Sequence, residues 1–174
     1  KSLNLICVAE AGECAIDARG ISGVAVTIDA SNVLFKGFRL VGDDTMYAGV
    51  IVAPSSSEVI VSSNEISGMT LSNPGNDSPL AYGILTYGID FNNMPSNLIF
   101  ENNNIYGIAG SAISLGTYTT DITIKNNNLH DIIPVEYLGN QLSVGVQTQF
   151  GQNISVTDNV FSNLVIGSNL LLSS

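Results

Sequence analysis

The chain has no tryptophan, one histidine, two cysteines and five prolines in 174 residues. Charge is just as sparse. Five Lys or Arg and fifteen Asp or Glu make up 11% of the chain and leave a net charge of −10. Each shortage excludes something. Five basic residues cannot build the patch that displaces counterions from phosphates, so nucleic acid is not an expected partner. The acidic balance also opposes direct binding of a polyanion such as pectate or alginate, unless calcium bridges the two. Apart from that calcium, no cofactor is expected. No apolar run reaches the length of a membrane span, so no membrane insertion is expected. No CxxC or Cys/His cluster supports zinc.

What fills the space is informative. Apolar residues account for 45% of the chain, while Asn, Ser, Thr and Gly take the place that charge holds on most surfaces. That is too apolar for a disordered chain and too poor in helix formers for a helical one. An all-β fold is expected, as a single domain over residues 1–174. No signal peptide is visible, and the chain opens directly in a strand-like stretch at residues 3–8, the pattern of a mature or trimmed chain. Cys7 and Cys14 flank a short loop. A local disulfide in an oxidising compartment and a pair of buried thiols both fit that spacing.

Self-similarity decides the fold class. Five segments align without gaps: NVLFKGFRLVG from Asn32, EVIVSSNEISG from Glu58, NLIFENNNIYG from Asn97, DITIKNNNLHD from Asp121 and NISVTDNVFSN from Asn153. Their starts lie 26, 39, 24 and 32 residues apart. A fixed motif at variable spacing is what a solenoid with loop insertions produces. Within each segment, apolar residues alternate at period two (Val59 and Val61, Leu98 and Phe100, Ile122 and Ile124, Ile154 and Val156), then resume inward at Ile66, Ile105, Leu129 and Phe161. Between the two runs stands Asn64, Asn103, Asn127 or Asn159, with Phe38 in that place in the first segment. Asparagine tolerates the left-handed backbone of a sharp bend, and stacked amides can hydrogen-bond from rung to rung. A further strand precedes each motif, around Val24, Val50, Ile84, Ile113 and Val146, each introduced by Gly or Ala. The chain is therefore read as about five to six rungs of three short strands, with an asparagine ladder at one turn. Stacking places Glu101 beside Lys125 and Arg39 beside Glu65, opposite charges that fit the register.

This pattern, over roughly residues 3–172, resembles the right-handed parallel β-helix repeats of the pectate-lyase-like superfamily. That superfamily holds polysaccharide lyases, polygalacturonases, alginate epimerases and non-enzymatic surface and phage proteins. The resemblance specifies a fold and leaves activity open. It implies that glycans bind along the first sheet, whose outward positions here are Ala25, Thr27, Ile51, Ala53, Leu85, Tyr87, Ser114, Gly116, Gln147 and Gln149. Loops at residues 42–47, 68–81, 90–96 and 131–142 would wall that face, the longest carrying Asn73 to Asp77 and Pro134 to Tyr137. Tyr87, Tyr118 and Tyr137 are the candidate sugar-stacking rings; Asn92, Asn93, Gln147 and Gln149 are the candidate amide partners.

Catalytic residues of the resembling enzymes do not carry over. The only arginines are Arg19 and Arg39, the latter paired with Glu65 on the expected register. There is no Gly-His-Gly. Tyr87-Gly88-Ile89-Asp90 is similar to the first half of the epimerase run, but Phe91-Asn92 stands where Pro-His would follow. His130 falls on the third strand beside Asp131 and is read as solvated. Asp29 and Asp90, near first-sheet strand ends two rungs apart, are the candidate carboxyl pair for a hydrolase. Asp43 and Asp44 are the candidate calcium ligands. The expected role is an extracellular, cell-surface or virion-surface domain that binds or presents to glycans without chemistry of its own. The alternatives are a polysaccharide-active lyase or hydrolase and a structural stalk. No cap is legible at either end, so the expectation is either a segment of a longer β-helix or self-association through open terminal rungs.

Overall fold

The alternating apolar residues do point inward, and they stack. Val33, Val59, Leu98 and Ile122 are buried, as are Phe35, Val61, Phe100 and Ile124, each aligned with its counterpart one rung away. In the computed structural model, which describes residues 2–8, 13–71, 80–137 and 139–172, the chain winds through three parallel sheets in turn. The first sheet contains Gly23–Ile28, Met46–Val52, Ala81–Thr86, Gly110–Leu115, the start of Val144–Thr157, and Ile166–Leu172. The second contains Leu3–Ile6, Val33–Lys36, Val59–Ser62, Ser96–Glu101, Thr120–Lys125 and the end of Val144–Thr157. The third contains Ala15–Asp17, Arg39–Val41, Glu65–Ser67, Asn104–Tyr106, Asn128–His130 and Val160–Ser162. One apolar core fills the coil, including Leu40, Ile66, Ile105 and Leu129 from the third sheet. Among the described residues no helix is long and apolar enough to cross a membrane.

The ladder forms at the corner between the second and third sheets. Asn64 donates from its backbone N–H and its side-chain amide to Asn103 Oδ1, at 3.0 and 3.1 Å. Asn103 does the same to Asn127 Oδ1, and Asn127 to Asn159 Oδ1, all at 2.9–3.0 Å. The other amide hydrogens close onto carbonyls of the strands: Asn64 to Phe35, Asn103 to Val61, Asn127 to Phe100 and Asn159 to Ile124. The backbone N–H of Phe38 donates to Asn64 and ends the series. The Phe38 ring stacks instead on Phe35, with centroids 4.6 Å apart.

The left-handed residue of that corner is not the ladder asparagine. It is the residue before it: Gly37, Ser63, Asn102, Asn126 and Asp158 have φ of 55–85°. Bending one residue early leaves the asparagine side chain free to turn inward, where its amide replaces the backbone partners lost at the bend. A second left-handed column opens each motif, at Asn32, Glu58, Asn97, Asp121 and Asn153, and a third lies at Gly68, Gly107, Asp131 and Asn163. The polar ends of the repeat are thus its corners.

Both expected charge pairs form: Lys125 Nζ lies 3.2 Å from Glu101 and Arg39 Nε 3.6 Å from Glu65. Cys7 and Cys14 form a disulfide; Glu10 to Gly12 between them lie outside the described residues. One strand equivalence is corrected by two residues. Val26, not Val24, aligns with Val50, so Ala25 packs on the inner core instead of facing outward.

The rung pattern is interrupted on the outer face of the first sheet. Val135–Tyr137 and Asn140–Leu142 pair as an antiparallel hairpin. Val135 and Leu142 from this hairpin, with Leu80, cover Ala48, Ile51, Tyr82 and Leu85, making a second apolar cluster outside the coil. Burying that much apolar side chain fixes the hairpin against the sheet. It also raises a wall.

Candidate functional site

Beside that wall runs a groove of about 640 Å³ along the outside of the first sheet. Its floor is the outward column Ile51, Leu85, Ser114 and Gln147, successive partners in the parallel register. Tyr87, Gly116 and Gln149 make the next column toward the strand ends, while Tyr47, Tyr82 and Tyr137 close the other side. Burial pushes the Tyr47 hydroxyl above its ordinary range, and the neighbouring Tyr87 adds to this. No charged side chain lines the groove among the described residues.

Of the residues expected to meet sugar, Tyr87, Tyr137, Gln147 and Gln149 come together here. Tyr118 does not. It lies around the corner, packed edge-on against Phe91 with centroids 4.9 Å apart, in a second cavity of about 480 Å³. Asn92 and Asn93 line neither cavity; they belong to a tight turn organised by Asp90. The stretch Asn73 to Asp77, expected to wall the groove, lies outside the described residues. Tyr47 and Tyr82 are groove residues that the repeat does not flag, because both precede the aligned strand triplets. The signal for Tyr82 was its place beside Gly83, on the strand whose later residues were already assigned outward.

Of the candidate acids, Asp90 and Asp43 are engaged in local hydrogen bonds. The Asp90 carboxylate accepts the backbone N–H groups of Asn92 and Asn93 at 2.7 and 3.0 Å, and the Asn93 side-chain amide at 3.1 Å. The Asn92 N–H, with the Asn93 amides, holds the Asp90 carboxyl below the usual range. A carboxyl with a depressed folded-state value stabilises its turn above the unfolded value of about 3.9 and loses that effect as pH falls through the lower folded value. An NMR carboxyl titration is expected to place Asp90 below an ordinary aspartate, with amide protection at Asn93 lost over the same range. An ordinary midpoint would show that the turn does not depend on this carboxylate.

Asp29 is exposed, level with Tyr87 in the outward register but two rungs away. Asp43 Oδ1 accepts the Thr45 N–H and hydroxyl at 2.9 and 2.6 Å, and Oδ2 accepts the Gly20 N–H at 2.9 Å. It ties one rung to the next, and the Thr45 hydroxyl in particular holds its carboxyl below the usual range. Asp44 beside it is exposed. Among the described residues no group of three or more His, Cys, Asp or Glu is placed to hold a metal.

His130 is not the solvated residue that its isolation in the sequence implied. Its ring stacks on Tyr106 at 5.1 Å, Nδ1 lies 2.6 Å from Asp131 and Nε2 3.1 Å from Asn104 Oδ1. Tyr106 in turn donates to Glu65 at 2.6 Å. These contacts join neighbouring rungs across the third sheet, and neither cavity includes them.

No curated protein and no solved structure matches the chain. A family model described as "Right handed beta helix region" matches residues 6–173, nearly the whole length. The winding, the three parallel sheets and the recurring corners agree with that match, and the chain belongs to the right-handed β-helix family.

Proposed function

We propose that this chain is a glycan-binding domain without chemistry of its own, holding a neutral saccharide in the groove on the first sheet. The observation that carries this is the lining. Tyrosine rings, two glutamine amides, Ser114 and Thr117 surround an uncharged concavity on a protein whose net charge is −10. Tyrosine packs its apolar ring on a sugar face, while amides and hydroxyls read sugar hydroxyls. The same net charge repels uronates at long range. The floor column Ile51 to Gln147 crosses four rungs, about 14 Å at the usual strand spacing, room for a short oligosaccharide. The Cys7–Cys14 disulfide supports an oxidising location, which fits an extracellular, cell-surface or virion-surface setting.

Screening an array of neutral and acidic glycans, followed by calorimetric titration, tests this. Neutral glycans are expected to bind, and Tyr137→Ala or Gln147→Ala to weaken binding by about tenfold or more. Reducing-end release or an unsaturated product that disappears in Asp29→Ala would instead make the chain a polysaccharide-active enzyme. An array without hits would leave a structural stalk.

A further inference from the structure

The groove changes character along its length. Its floor runs Ile51, Leu85, Ser114, Gln147, one residue per rung in the parallel register. The first two are aliphatic and the last two form hydrogen bonds. The next column makes the same change, from Tyr87 to Gln149 on either side of Gly116. One end of the groove is therefore apolar and the other polar, with the change between Leu85 and Ser114.

The apolar end is the open margin of the cluster outside the coil. Ile51 and Leu85 belong to that cluster, and Tyr47 and Leu142 pack against it. Each of the two floor residues keeps 8% of its surface exposed, and both line the groove. The tyrosines of this end stand in the walls and the next column, so the floor itself is aliphatic. The polar end has hydrogen-bonding capacity to spare. The side chains of Ser114, Thr117, Gln147 and Gln149 make no hydrogen bond to any described residue.

A saccharide that crosses all four rungs meets different chemistry at its two ends. Over Ser114 and Gln147, sugar hydroxyls find amide and hydroxyl partners. Over Ile51 and Leu85, a hydroxyl gives up water and faces aliphatic carbon, a penalty that a methyl group turns into a gain. Resting on the neutral-glycan reading of the groove, we infer that the ligand is a neutral saccharide with a methyl-bearing unit, an acetamido sugar or a 6-deoxyhexose. That unit lies on Ile51 and Leu85, and its hydroxylated neighbours lie on Ser114 and Gln147. The floor thereby selects among sugars by a single substituent and fixes the direction in which the saccharide lies.

The test titrates the full chain calorimetrically with two matched pairs. Chitotetraose and cellotetraose share one backbone linkage and differ in the acetamido group. A neutral oligosaccharide ending in L-fucose and its L-galactose counterpart differ in one hydroxyl. The methyl-bearing member of a pair is expected to bind about tenfold more tightly, the scale of one apolar group in a fitted pocket. A preference in the first pair alone assigns the acetamido sugar, and in the second alone the 6-deoxyhexose. Ile51→Thr, which keeps a β-branched residue in the strand, should abolish the preference and leave the methyl-free member unchanged. Leu142→Thr repeats the test from the hairpin, outside the coil. Gln147→Leu should weaken both members alike, since the hydroxyl-reading end is common to them. Equal affinities within each bound pair would overturn the methyl-bearing unit and leave the groove in place. A preference that survives both Thr variants would overturn its placement on this floor. If none of the four sugars binds, the glycan array decides. Neutral hits that carry a methyl-bearing unit support the inference, hits confined to methyl-free glycans overturn it alone, and no neutral hit overturns the groove with it.

Discussion

Asn103→Ala is expected to lower the unfolding free energy by about 4 kcal/mol, because it orphans two buried backbone groups on the neighbouring rung. Asn103 is 1% exposed. Its carbonyl is the acceptor for the Asn64 backbone N–H, and its amide is a donor to the Val61 carbonyl. Neither group gains a replacement when the side chain ends at Cβ. Asn159, at the last step of the ladder, is only half-buried. Water can reach the groups it leaves, so Asn159→Ala should cost about 1 kcal/mol. Urea unfolding of the two variants gives the comparison directly. Equal losses would mean that the ladder is solvated throughout and does not hold the coil.

The second large effect belongs to a residue with no side chain. Gly83→Val is expected to cost at least about 3 kcal/mol, through a collision that cannot relax locally. A Cβ on Gly83 would sit 2.5 Å from the carbonyl oxygen of Ala112, one rung away, and 2.5 Å from Ile105 Cγ2. The same construction holds at Gly49, against Gly83 O and Ile66, and at Gly145, against Gly167 O and Phe161. These glycines form one inward column with Ala25 and Ala112. There the chain enters the first sheet hard against the third-sheet core residues. The two alanines set a methyl group as the largest side chain in that column. Gly83→Ala should therefore cost less, about 1–2 kcal/mol. Chemical denaturation measures both; a Val variant as stable as the parent would show that rungs can part at this corner.

These two variants mark what a sequence can disclose about such a fold. The ladder was legible because Asn64, Asn103, Asn127 and Asn159 repeat one chemical role at one place in a motif, and each repeat corroborates the others. The small residues introducing the first-sheet strands were visible for the same reason, although the collision they avoid is a contact between sheets. The backbone bend was misplaced by one residue, since Asn102 and Asn126 are asparagines too and sequence cannot rank adjacent members of an Asn-Asn-Asn run. The groove was legible only in part. Its floor follows the period of the strands, so Gln147 and Gln149 could be assigned outward. Tyr47 and Tyr82 belong to no repeat, and the hairpin that walls the groove exists through its own apolar contacts with Leu80 and Leu85. Asp90 shows a local role that the sequence does not display. An acid near a strand end invites a catalytic role, and here its partners are the amides of Asn92 and Asn93.

The central claim is that recognition occupies the first sheet, away from the asparagine corner. Backbone chemical-shift mapping of the intact chain with a bound neutral oligosaccharide tests it most directly. Shifts concentrated at Tyr47, Tyr87, Ser114, Tyr137, Gln147 and Gln149, with the ladder from Asn64 to Asn159 unmoved, are the expected result. Shifts concentrated on the third sheet around Tyr106 and His130, with the groove silent, would contradict it.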